Sequence, residues 1–506
     1  MRKFKPGFWF LVCWILLSLS TGIWQYFNAP PTGIHQGAQT DRACIAWNYY
    51  DQSMNFFKPR VMETRLNDGI AGMEFPVVNY SVALLYKIFG PHDIIYRMVV
   101  FLIVSAGVYA VFLLSGFFMQ RFLSRILLVF SWYLSPIFLY YSFSFLPDTS
   151  ALSFSMIATY FFIKYLFGIH EKKSIAFYFL FISLAGLIKI TFLIIHITCF
   201  SILFLLRFKP TLIAINKQVT PSQLISVFIP VVPVFSWYFY AAKLTEHTGN
   251  THFLQQINPA KNLHDAGDYM LYAYNTWSNS IYVQFGFISI IVLYIITWIG
   301  KRKENPLLAT LSALCFGGAV ACYFLFQFQF LYHDYYYLIF FPALFLMFLF
   351  MQQVYLEGKK IIMGILPFLF LIGFYIFPFL SLSHARYMLK ERFRPDSYYF
   401  QEAFPEQKHY HNIADVINKF VPKGERIISA FDPTPNTSLY FMRRQGIRIA
   451  GDFSPKLTAD IILDTKYKYL LINDEKKWNS GYADTLNLES KLIYSGGPLR
   501  LYRLNY

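Results

Sequence analysis

Sorted into apolar and polar positions, the chain is a series of long apolar runs followed by a mixed tail. An α-helix needs about 20 apolar residues to cross a hydrocarbon core, and runs of that length recur from residue 7 to 382. They predict about eleven transmembrane helices, at 7–27, 94–118, 124–143, 148–168, 175–189, 190–207, 224–244, 281–300, 306–327, 335–355 and 361–382. The stretch 175–207 is too long for one crossing and slightly short for two with a loop. The basic segments "HEKK" (170–173) and "RFKP" (207–210) flank it on what reads as one side, so it crosses twice, turning near "GLIK" (186–189). The apolar segment "PVVNYSVALLYKIFG" (76–90) has the length of an interfacial helix and is placed along the outer surface.

After residue 383 the pattern changes. The segment "NIADVINKFV" reads as a helix, "RIISAF" as a strand and "TSLYFMRRQG" as a helix. Strands follow at "IRIAG", "ADIILD" and "YLLIN", then a hairpin-like end. Short apolar runs alternating with amphipathic helices predict a small α/β sheet domain. The organisation expected is therefore a polytopic α-helical membrane body, 1–382, including a polar loop at 28–93, and a C-terminal α/β domain, 383–506.

Composition agrees with this division. Of 506 residues, 56% are hydrophobic and only 14% are charged, against about 25% charged in soluble domains. The net charge of +16 raises the question of nucleic acid. The bases, however, collect in short connectors such as "QRFLSR" (120–125), "KRKEN" (301–305) and "LEGKK" (356–360). The positive-inside rule distributes them so, and no nucleic-acid partner is expected. With the N-terminus inside, these connectors are cytoplasmic, and the 28–93 loop, the 245–280 loop and the C-terminal domain are external. The five cysteines contain no CxxC pair and give neither a disulfide framework nor a metal signature. The first apolar segment lacks a small-x-small cleavage site and reads as a retained span.

Asp41, Glu74, Asp148, Lys189, His333 and Asp334 are far apart in sequence but map to external loops or external span ends. Ionisable groups at membrane depth are costly and mark functional cavities, so several on one face predict a single site.

The order of a long acidic and aromatic loop ("HQGAQTDRACIAWNYYDQ"), "GMEFPVVNYSVALLYKIFG", "SPIFLYYSFSFLPDTSAL", "GLIKIT" and "HDYYYLIFFPAL" resembles the GT-C glycosyltransferases that use polyprenyl-phosphate sugars. It is most similar to their protein O-mannosyltransferase and lipid A aminoarabinose transferase branch (family 39/83-like). The resemblance spans about residues 1–355. It implies an inverting transferase of hexosyl or pentosyl groups in a bacterial-type inner membrane. The implied partners are the lipid bilayer, a polyprenyl-phosphate-linked sugar and a hydroxyl acceptor. It also implies that an acid in the first external loop, here Asp41, is the catalytic base. The mannosyltransferases often carry Asp-Glu there; this chain has Asp41-Arg42, which puts a shared acceptor in doubt.

The chemistry gives its own reasons. A lipid-phosphate sugar brings its leaving group with it, so no phosphate-binding GxxxxGK[ST] loop is needed, and none is present. Transfer to a hydroxyl needs a carboxylate within reach of the nucleophile; Asp41 is the candidate, with helix capping as its structural alternative. The leaving phosphate needs a cation. Lys189 fits, unless it snorkels to headgroups, with Arg97 and Arg60 as secondary candidates. Arg97 has Asp93 as an alternative partner. Glu74 is a further catalytic candidate, and Asp148 is either a supporting acid or a stabiliser of its helix N-terminus. His333, Asp334 and Tyr335 are candidates to orient acceptor or phosphate, although interfacial aromatic belts explain most of the tyrosines. No cofactor is required; a divalent metal is compatible but not indicated, since no HExxH-like spacing occurs. The competing class is a polytopic transporter or lipid flippase, for which internal repeats and broken midplane helices would be the sign.

Overall fold

The computed structural model describes residues 6–213, 215, 217–250, 253, 257–283, 286–356, 365–394, 396–397, 410, 413–432, 434–485 and 489–506. Most of the connector expected at 356–360 lies outside them. The chain forms two compact units, one of residues 1–27, 97–239 and 255–390, the other of residues 28–96, 240–254 and 391–506. The first loop thus belongs to the same unit as the C-terminal sheet.

The first unit is helical. Five helices among the described residues, wholly or mostly of this unit, are long and apolar enough to cross a membrane: Asp93–Ser115, Ile190–Phe208, Pro221–Thr248, Pro306–Leu325 and Asp334–Leu356. The pair Leu263–Ile281 and Gly286–Lys301 makes a sixth if it counts as one bent span. Asp334–Leu356 is buried along nearly its whole length, as a helix apolar on every side requires. Its neighbour Phe122–Tyr133 is tied to it by Trp132, whose indole N–H donates to the Phe341 carbonyl at 2.8 Å.

Two elements of this unit differ from the sequence expectation. The span expected at 124–143 is two helices, Phe122–Tyr133 and Pro136–Tyr141. Pro136 supplies no N–H and pushes Ser135 into an extended conformation (φ −64°, ψ 131°). The 245–280 loop contains a helix, Leu263–Ile281, started by Asn262, whose side chain accepts the Asp265 N–H; its many polar positions concealed it. The helix Asp148–Leu166 buries Ser153, Ser155 and Thr159, each donating to a carbonyl of its own helix. Those three hydroxyls lower its hydropathy while each keeps a hydrogen bond. Near the expected 186–189 turn, helix Glu171–Ile188 ends and Lys189 is extended; a 3-10 turn, Ile190–Phe192, then leads into the α-helix Leu193–Phe208. Gly186 allows this tight return, because a Cβ there would stand 2.7 Å from the Leu193 side chain.

In the second unit the sheet strands are β1 (Ile427–Ala430), β2 (Gly446–Ile449), β3 (Tyr469–Ile472), β4 (Ser490–Gly496) and β5 (Leu499–Leu504). Their order is β2-β1-β3-β5-β4. β1 pairs in parallel with β2 and β3, and β5 runs antiparallel to β3 and β4. β1 and β3 are buried at every position, which is why they read as unbroken apolar runs. Ile428, Ile449, Ile462, Leu470, Ile472 and Trp478 form the core.

"ADIILD" is not a strand but part of helix Pro455–Thr465. Ser454 caps it by accepting the Leu457 N–H, and Pro455 occupies its first turn. A short apolar run cannot by itself distinguish the two states.

The outer edge of β2 is covered by the first loop. The Gly446 N–H donates to the Met62 carbonyl at 3.2 Å, and the Thr64 N–H donates to the Gly446 carbonyl at 2.8 Å. On its other side Gly446 lies so close to β1 that a Cβ would stand 1.8 Å from the Ile427 carbonyl oxygen. Gly446→Val is therefore expected to destabilise this unit by about 3 kcal/mol and to expose the 62–64 segment, read as a lower thermal midpoint and new proteolytic cleavage there.

Candidate functional site

The polar residues singled out from sequence fall into two clusters, one in each unit. In the first unit, Asp148 opens its helix and accepts from the Lys189 ammonium at 2.5 Å. The Asp148 side chain is 3% exposed and that of Lys189 19%. A carboxylate this deeply buried stays charged only beside a cation.

The ammonium also lies over two aromatic faces, 4.3 Å from the Tyr336 ring and 5.2 Å from the Tyr335 ring. The His333 ring stacks on both tyrosines. Asp334 is fully buried and accepts from the Tyr141 hydroxyl at 2.6 Å. The structure thus joins Asp148, Lys189, His333, Asp334 and Tyr335, and adds Tyr141 and Tyr336.

Arg97 is buried in the same unit; it donates to the Phe143 carbonyl at 3.0 Å and lies 4.6 Å from the Phe145 ring. Asp93, in the second unit, accepts from the Tyr440 hydroxyl and faces Arg443 at 3.7 Å.

Lys189, Asp148, Thr191, Cys322, Phe326 and Tyr336 line an enclosure of about 10 Å³, room for one water. Thr191, Cys322 and Phe326 also belong to an apolar groove of about 410 Å³ between helices Leu193–Phe208 and Pro306–Leu325, lined further by Leu193, Ile197 and Leu314. The small enclosure that Lys189 lines thus shares part of its wall with the apolar groove.

The second cluster is built on helix Gln36–Asp51. The helix starts after His35, in the left-handed region (φ 56°), so Asp41 is in its second turn and is not its cap. The Asp41 carboxylate accepts from the Asn436 amide at 2.7 Å.

Arg42 donates to Glu74 at 3.0 Å and lies 5.0 Å from the Phe253 ring, while Asn79 donates to the Arg42 carbonyl at 2.8 Å. Arg42, the departure from the Asp-Glu pattern, thus pairs with the second acid. Arg60 pairs with Asp68, which also holds Arg426 in the turn after Leu66.

Burial pushes the Glu63 carboxyl up from its ordinary range, against the lowering pull of Arg65. It does the same to Asp432, opposed by hydrogen bonds from Ser438 and Thr434. Among the described residues no group of three His, Cys, Asp or Glu side chains is placed to hold a metal ion.

Sequence reasoning missed Asn436, Phe253, Tyr141 and Tyr336. Asn436 sits in "DPTPNTS", which reads only as a turn.

No family model and no curated protein matches this chain. Solved structures do. ArnT from Cupriavidus metallidurans in the apo state superposes with a TM-score of 0.62 at 10% identity, covering 97% of this chain and 98% of ArnT. The same protein bound to undecaprenyl phosphate gives 0.63 at 10% identity, covering 97% of each chain. The Archaeoglobus fulgidus oligosaccharyltransferase gives 0.54 at 10% identity, covering 95% of this chain and 71% of that one. The fold is therefore the one found in ArnT and in the archaeal oligosaccharyltransferase. ArnT shares it over nearly its full length.

The Lys189–Asp148 pair can be separated from the fold by a mutant cycle. Lys189→Met alone strands a buried carboxylate and is expected to cost about 3 kcal/mol, whereas Lys189→Met with Asp148→Asn is expected to recover at least half of that, measured by thermal unfolding in detergent.

Proposed function

We propose that the chain is an inverting GT-C glycosyltransferase that moves a hexosyl or pentosyl group from a polyprenyl-phosphate donor to a hydroxyl acceptor on the external face of a bacterial-type inner membrane. The observation that carries this reading is an ammonium, Lys189, in a small enclosure that shares its wall with an apolar groove. A lipid phosphate has that combination of a long hydrocarbon and one compact anion. The full-length likeness to ArnT, solved with undecaprenyl phosphate bound, supports it.

In this reading the isoprenoid lies in the groove and Lys189 stabilises charge on the departing phosphate. Asp148 holds the ammonium, and the Tyr335 and Tyr336 rings fix its direction. The acceptor oxygen attacks the anomeric carbon on the face opposite the phosphate, and its proton passes to the Asp41 carboxylate. The bond to the phosphate oxygen breaks with its electron pair, and polyprenyl phosphate leaves. Glu74 takes a supporting role through Arg42, and Asp334 and His333 order the tyrosines. Arg97 and Arg60 are further donor-binding candidates.

The topology proposed with it has about eleven crossings, the N-terminus and the basic connectors in the cytoplasm, and the 383–506 domain outside. The exposed stripe Leu84, Ile88 and Phe89 on helix Val77–Phe89 suits a helix lying in the interface.

Purified protein is expected to release polyprenyl phosphate from a lipid-linked sugar, followed by chromatography of the lipid product. Asp41→Asn is expected to lower kcat by about 10²-fold or more with little change in thermal midpoint; unimpaired transfer would remove Asp41 from the role of base.

A further inference from the structure

The described groups around Asp41 include one whose geometry exceeds what packing needs. Asn436 is fully buried on the segment after β1. Its side-chain oxygen accepts two backbone N–H groups of the first loop, from Met62 at 2.9 Å and Glu63 at 3.0 Å. An amide nitrogen cannot accept, so those two donors fix which way the amide faces. The NH₂ group is then aimed at Asp41, 2.7 Å from its carboxylate oxygen.

An ionised aspartate at 436 could accept the same two N–H groups but has nothing to donate; an amide accepts them and donates to a carboxylate together. The approach is close on both sides. A Cβ on Gly37, in the Asp41 helix, would stand 2.5 Å from the Thr434 methyl, and Thr40 and Thr437 share a hydroxyl contact at 3.2 Å. The segment follows the carboxyl end of the central strand of the parallel set β2-β1-β3, the edge where such sheets place functional side chains.

We infer that Asn436 is a positioning residue for Asp41: the C-terminal domain orients the carboxylate through a donated N–H and favours its charged form. The catalytic meaning of this rests on the reading of Asp41 as base, but the contact itself can be tested without substrate. Dicyclohexylcarbodiimide modifies protonated carboxyls, so the labelled fraction of the Asp41 peptide in full-length protein, followed by mass spectrometry across pH, reports its protonation.

Asn436→Asp keeps the acceptor but sets a second carboxyl against the first, and like charges at this distance share a proton. Its labelling curve is expected to move up by at least one pH unit. Asn436→Ala, the check should the first variant not fold, loses the donor and is expected to move it the same way by less. The neighbouring groups Arg42 and Cys44 on the same helix, Glu74 against Arg42, and Asp432 on the C-terminal segment are common to all variants. Curves that superpose on wild type in the folded variants overturn the inference. A shifted curve together with full transfer by Asp41→Asn would instead overturn the base reading and leave the positioning intact.

Discussion

A buried carboxylate has to be answered by a cation, and that constraint organises the first unit. Asp148 is the first residue of a helix rich in apolar and hydroxyl side chains, and its carboxylate is 3% exposed. The chain ends a helix at residue 188 and brings the Lys189 ammonium to 2.5 Å from it. The two limbs pack closely at Gly186, and the ammonium rests over two tyrosine faces. The local irregularities of the backbone here are the means by which one ion pair is accommodated.

Much of the fold was legible because it depends on one-dimensional signals. Apolar length marks helices, and the fully buried strands β1 and β3 appear as short apolar blocks. The errors occurred where length and polarity carry no unique meaning. Pro136 cuts a run that looks continuous, "ADIILD" satisfies both periods over six residues, and Leu263–Ile281 is polar enough to pass for a loop. The candidate site stood out in part for a related reason. Acids and bases at membrane depth stand out against an apolar background, so Asp148, Lys189 and Asp334 could be picked without a structure. Asn436 could not, because an asparagine in a proline-rich turn is ordinary, and only the fold brings it to a residue 395 positions earlier.

The second unit shows a different economy. Its polar contacts tie the ends of the chain together: Met62, Glu63 and Thr64 to Asn436 and Gly446, Asp68 to Arg426, and Asp93 to Tyr440 and Arg443. Each contact links the first loop to the C-terminal segment. The loop is held by a scaffold encoded far away, and this explains how a long polar insertion between apolar segments can present a carboxylate in one orientation.

The covering of β2 by residues 62–64 has a bearing on biogenesis. During synthesis the stretch from the first loop emerges long before Gly446, and the sheet edge it closes does not yet exist. A C-terminal domain made alone would display that strand's free N–H and C=O groups to any extended neighbour. Its solubility is thus a property of the whole chain, acquired only once its first and last portions have met.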